Sequence, residues 1–167
     1  YGSKGRQPST RMGNFAVNRQ TWFDAIEYAE GDREKRDLEK ETLAGVLDGD
    51  ILVHNHCYRA DELAQIIDMS KEFGYKVTAF HHAVESYKIA DILAKEEICS
   101  AVWADWWGFK MEAYDAIPEN AALLQKSGAC VIVHSDDENQ IQRLNQEAAK
   151  AVKYGGVPEE EALKFVT

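Results

Sequence analysis

Cysteine is scarce in this chain: Cys57, Cys99 and Cys130 are the three it has, and no two stand in a C-x-x-C spacing. A dense disulfide framework is thereby excluded. Each thiol lies within or just after an apolar run, and a reduced, buried side chain is the expectation for each. Positive charge is short as well, with 19 Lys and Arg against 29 Asp and Glu and a formal net charge of -10. That balance argues against a partner recognised through a phosphate backbone, so no nucleic acid is expected. Long apolar runs are missing too, and no stretch approaches the length needed to cross a membrane. The first residues carry neither the charged nor the apolar region of a signal peptide, which leaves the cytoplasm as the default expectation.

What is present is enough apolar material, 45% of 167 residues, for one sizeable core. A single domain, or part of one, is expected over residues 1–167. Residues 1–13 have a Gly, Pro and Ser loop composition. Helices are expected over 14–50. Asn14 is a candidate N-cap for the first, which closes near Gly31. The charged stretch Asp32 to Glu41, running into Leu43, Val46 and Leu47, reads as a second. Over 51–136 the pattern becomes regular. The apolar runs Ile51 to Val53, Lys76 to Phe80, Ile98 to Trp103 and Ala129 to Val133 have the length and β-branching of buried strands, with helical spacing between them. Alternation of this kind forces the strands parallel. Gly74 and Gly128 stand where helix-to-strand turns need a positive φ. Two closing helices are expected over 137–167, from Asp137 to Tyr154 and from Pro158 to Val166.

The polar residues collect at one place in this scheme. His54 and His56 end the first strand, His81 and His82 the second, Asp105 the third and His134 the fourth. In parallel α/β folds the strand C-termini share one face, where ligands bind. A lone histidine beside an apolar strand is more often a hydrogen-bonded core residue than a ligand; five on one rim reverse that balance. Imidazoles with a carboxylate suit zinc and similar ions. In His134-Ser135-Asp136-Asp137, Asp137 suits a helix cap and Asp136 the metal. Alternation puts His54 and His56 on one side of their strand, with His56 nearer the rim, and His81 and His82 on opposite sides, without choosing between them.

The stretches ILVHNHCYRADEL, KEFGYKV, FHHAVESYKIAD and VIVHSDD, with TRMG at Thr10 to Gly13, resemble the imidazolonepropionase-like branch of the amidohydrolase superfamily over nearly the whole chain. The resemblance implies α/β architecture, the four strands being about strands five to eight of a (β/α)8 TIM-type barrel, a C-terminal half-barrel fragment. It also implies metal ligands at His56, His82 and Asp136, the segment from His82 to Glu85 departing from the family's H-G-T-E at Ala83 and Val84. A divalent metal, zinc by expectation, one or two ions in the intact enzyme, would then serve hydrolysis of a carbon–nitrogen bond in a cyclic or peptide-like amide.

Asp136 is the expected general base and acid. His54 and His134 are expected to contact substrate; Trp103 with Trp106, Trp107 and Phe109 could line the pocket, packing under the loop being the equal alternative; Arg11 and Arg59 could pair with a substrate carboxylate, surface ion pairs being the plainer role. A small-molecule substrate is implied. So is a partner that completes the barrel, either the missing N-terminal half or a second copy, without which the fragment is expected to be inactive. The competing reading is a non-catalytic α/β binding or structural module with a vestigial metal site. A phosphate loop or early phospho-acceptor pair would support a binding module, and neither is visible.

Overall fold

The computed structural model describes Gly5, residues 8–31 and residues 35–167. These residues form two compact units, one from the chain before Val53 with Met69–Lys76, the other from Val53–Asp68 with Val77–Thr167. Parts of the expected opening loop, and Asp32 to Glu34 of the expected second helix, lie outside the described residues.

The first unit contains α1 (Arg11–Glu30) and α2 (Leu38–Leu47). The cap expected at Asn14 is at Thr10 instead. Thr10 has extended backbone, and its Oγ accepts from the Gly13 amide at 3.0 Å, satisfying one of the free donors of the first turn. Arg11, expected in a loop, therefore opens a helix. α2 starts later than the charged stretch suggested because Asp37 caps it, accepting from Lys40 N at 3.2 Å. Trp22 stacks on Tyr75 at 4.2 Å, and Phe23 meets Phe73 edge-on at 5.0 Å. Burial pushes the Tyr75 phenol up to about 12.

In the second unit, β1 (Val53–Cys57), β2 (Val77–His82), β3 (Cys99–Val102) and β4 (Val131–Val133) form one sheet in that order, every pair parallel. Helix α3 (Ala60–Phe73) runs from β1 to β2, and α4 (Ala90–Lys95) and α5 (Asn120–Ser127) precede β3 and β4. Gly74 and Gly128 have φ of 76° and 85°, as their turns require. β1 lies later than the apolar run Ile51 to Val53. Its polar residues His54 through Asn55 to Cys57 find ladder partners on β2, while Leu52 is left exposed. Leu63, Ile67, Val77, Phe80, Leu93, Val102 and Leu124 are the largest fully buried apolar side chains, each stabilising by about 1.5–3 kcal/mol relative to exposure. On the far side of β4 the Val133 amide donates to the Phe165 carbonyl at 2.8 Å, covering part of that edge.

Two expectations need correction here. Cys99 and Cys130 are not free thiols but a disulfide, with Cα atoms 4.4 Å apart; Cys57 remains a reduced, buried thiol. The register Ser100↔Val131 sets the two preceding cysteines abreast, although 31 residues separate them in sequence. The single helix expected from Asp137 to Tyr154 is divided. A 3-10 turn at Gln140–Arg143 precedes α6 (Leu144–Gly155), because Arg143 leaves the helical region with φ -130°. α7 (Glu159–Lys164) closes the chain.

Where α6 meets α5, a Cβ placed on Gly155 would come within 1.9 Å of the Ala122 Cβ. Gly155→Ala is therefore expected to cost about 1–3 kcal/mol in urea denaturation, and Ala122→Gly in the same chain to recover most of that loss. Additive losses in the double variant would refute the contact.

Candidate active site

The parallel sheet brings the histidines of β1 and β2, and His134 just beyond β4, to one end. The His56 ring lies 4.5 Å from that of His82, and His82 lies 5.1 Å from His134. His54 Nδ1 stands 2.9 Å from His81 Nε2, so one ring donates to the other. The expectation that His81 and His82 point to opposite sides fails. His82 and Ala83 adopt positive φ, 71° and 31°. That turn ends the strand's alternation and returns the His82 ring to the side where His56 lies.

Asn120, which the sequence reading passed over, holds the turn. It is 4% exposed. Its Nδ2 donates to the carbonyls of Ala83 and Val84 at 3.2 Å, and its Oδ1 accepts from Ser86 Oγ at 3.1 Å and Tyr87 N at 3.0 Å. Four bonds from one buried amide fix the chain immediately after His82. Sequence offered only an asparagine at a helix start, the ordinary place for a cap. Asp136 also has a positive φ, 54°, and is exposed. Left-handed non-glycine residues thus occur at two of the three expected ligands, the kind of stored strain that gathers at functional sites. Asp137 caps the following turn, its Oδ1 accepting from Asn139 N at 2.9 Å and Gln140 N at 2.8 Å.

Trp103 is buried between the His82 ring at 4.3 Å and Trp106 at 5.0 Å, both nearly parallel to it. Trp106 Nε1 donates to Gln140 Oε1 at 2.9 Å. Beside this stack is a cavity of about 300 Å³ lined by His82, Asp105 and all three tryptophans of this unit. Asp105 accepts from Lys150 Nζ at 2.8 Å. Arg59 is engaged by Asp61 through two bonds, 2.9 and 3.1 Å, so its guanidinium serves a local surface pair. Arg11 belongs to the other compact unit.

Burial, then repulsion from His56 and His134, lowers the His82 imidazole to about 4, against the opposing pull of Asp136. His134 is lowered chiefly by burial, and His81 by burial and then by His54 and His56. Neutral rings are what a metal requires of histidine. His82 Nδ1 and His134 Nε2 are buried with no hydrogen-bond partner, a cost of about 1–3 kcal/mol apiece that a bound ion, ligand or water would relieve. Among the described residues, however, no group of three or more His, Cys, Asp or Glu side chains is arranged to hold a metal ion. The donors therefore fit a metal in kind, as part of a ligand set.

Two outcomes follow. Unfolded His82 protonates near 6.5 and folded His82 near 4. Between those values the unfolded chain binds more protons, so His82 leaves stability intact above pH 6.5 and subtracts from it as pH falls toward 4. The thermal midpoint of metal-free protein should drop over that window, and less steeply in His82→Gln; parallel curves would refute the assignment. Asn120→Ala should cost on the order of 2–4 kcal/mol, from lost bonds and the buried groups left unpaired, read by chemical denaturation.

No family model matches the chain. Amidohydrolase tasK of Hapsidospora irregularis is 33% identical over the whole chain, which spans 19% of that protein. A crystal structure of amidohydrolase from Thermotoga maritima MSB8 matches with a TM-score of 0.87 and 30% identity, over 96% of this chain and 44% of the other. The parallel α/β sheet and its helices thus correspond to part of the amidohydrolase fold, as a partial TIM-type barrel. The chain is similar to these amidohydrolases in sequence and in fold, and spans less than half the length of either.

Proposed function

We propose that this chain carries part of the active site of a metal-dependent hydrolase that cleaves a carbon–nitrogen bond in a cyclic or peptide-like amide. The observation that carries the reading is the group of His56, His82 and His134 at the strand ends, with His82 and His134 held neutral by burial and within electrostatic reach of Asp136. His56, His82 and Asp136 would hold a divalent ion, zinc by the chemistry of the donors. Such an ion, when bound, polarises the scissile carbonyl and lowers the pKa of water. Asp136 is suited to proton transfer because it is exposed at the rim. Its carboxylate takes a proton from the attacking water and returns it to the leaving nitrogen. His54 and His134 orient the substrate, and Trp103 walls off bulk water on one side of His82. The remaining ligands come from outside this stretch, which agrees with the partial donor set and with the greater length of the relatives. The 167 residues are accordingly expected to be nearly inactive alone.

A second reading, a structural module with a vestigial site, is favoured by one observation: the described residues hold no complete metal-binding group. Elemental analysis of the full-length protein separates the two. The hydrolase reading expects a divalent metal that purifies with the protein and is lost in His56→Ala/His82→Ala. It also expects Asp136→Asn to lower turnover of an amide substrate by roughly 10²–10⁴-fold. A correctly folded full-length protein without metal would favour the module.

A further inference from the structure

We propose that the cavity beside His82 is a specificity pocket for an uncharged aromatic group of the substrate, an inference that rests on the hydrolase reading. At about 300 Å³ the cavity is at the small end of the range for ligand sites, room for a ring and its immediate substituent. Three indoles with Val84, Ile117 and Pro118 supply apolar wall. The polar lining residues are His82, Asp105 and Asn120. Asn120 is committed to four bonds within the chain, and Asp105 accepts from Lys150. That leaves the His82 edge, where the proposed ion would be held, as the end of the cavity to which an amide is directed, with its apolar substituent toward the tryptophans.

Charge narrows the class further. No lysine or arginine is part of the lining, so a carboxylate on the substituent finds no partner in this cavity. A cationic substituent is disfavoured as well, because it would meet two ammonium groups near the wall: Lys150 Nζ is 2.8 Å from Asp105, and Lys110 Nζ stands 4.0 Å over the Tyr58 ring, which itself packs on Trp103. Flatness is favoured by the walls. Trp103 and Trp106 lie 11° from parallel, Phe109 meets both edge-on, and Gln140 anchors the Trp106 N–H. A ring entering this cavity meets rigid aromatic surface and orders little on binding.

Calorimetry on the full-length protein as purified tests the proposal with benzamide as probe, and benzoate, phenyltrimethylammonium and acetamide as comparators. Benzamide is expected to bind saturably, and each comparator at least about tenfold more weakly, the step that 1.4 kcal/mol produces. Trp106→Ala should weaken benzamide by roughly two- to tenfold, the worth of one aromatic contact. Ile117→Trp, which fills the cavity, should abolish binding while the thermal midpoint confirms folding. Equal binding of benzoate or the ammonium, no saturable binding of benzamide, or unchanged affinity in folded Ile117→Trp would each overturn the pocket. The readout is binding, with metal content measured separately. Benzamide binding to a metal-free protein would therefore count against the hydrolase reading alone, and a metal-bearing protein that ignores benzamide would count against the pocket alone.

Discussion

A parallel sheet dictates where its strand ends go. Because every strand here runs the same way and every return is made by a helical crossover, whatever follows the strands is delivered to one rim. Five histidines and Asp136 are spread over more than eighty positions of sequence, yet the topology leaves them little choice but to meet. The cost of that gathering is electrostatic. Several imidazoles in a partly buried space cannot all be charged, and burial with mutual repulsion drives His81, His82 and His134 toward their neutral forms. The fold creates the basic nitrogen donors simply by putting them together out of water.

Topology does not orient the rings; local backbone does. A regular continuation of β2 would have sent His81 and His82 to opposite faces. The left-handed pair His82 and Ala83 breaks that rule, and Asn120, 37 positions beyond Ala83, holds the break in place. Orientation at the site therefore depends on the α5 start docking behind the β2 end. A loss there would be felt at His82 before it reached the core.

This division between topology and local geometry also decides what was legible in the sequence. Strand alternation, the rim and the turn glycines Gly74 and Gly128 follow from local pattern, and all are present. Asp137 takes the capping place expected of it, since capping is a local matter of one carboxylate and two nearby amides. Three features were not legible because each depends on a non-local fact. The Cys99–Cys130 bridge exists only once the β3–β4 register is known. Asn120 is an ordinary helix-start residue until the β2 turn lies against it. The parity of His81 and His82 needed a φ value that no residue type there announced. Thr10 is a different failure: two capping residues, Thr10 and Asn14, stood one turn apart, and pattern did not rank them.

The rings around His82 join two properties that would otherwise vary independently. Trp103 covers one face of His82 and at the same time forms part of the cavity wall. Burial is the largest cause of the low His82 pKa, so the surface that would select a substrate group also keeps the imidazole unprotonated. Replacing Trp103 by a smaller residue to widen the pocket would admit water to His82, raise its pKa and set protons in competition with any ion it holds. Enlarging the cavity at Ile117 or Pro118, whose side chains line it without stacking on the histidine, carries no such penalty. Variation in specificity within this scaffold is therefore expected on the wall away from Trp103, because that indole has a second duty that a change of substrate does not relax.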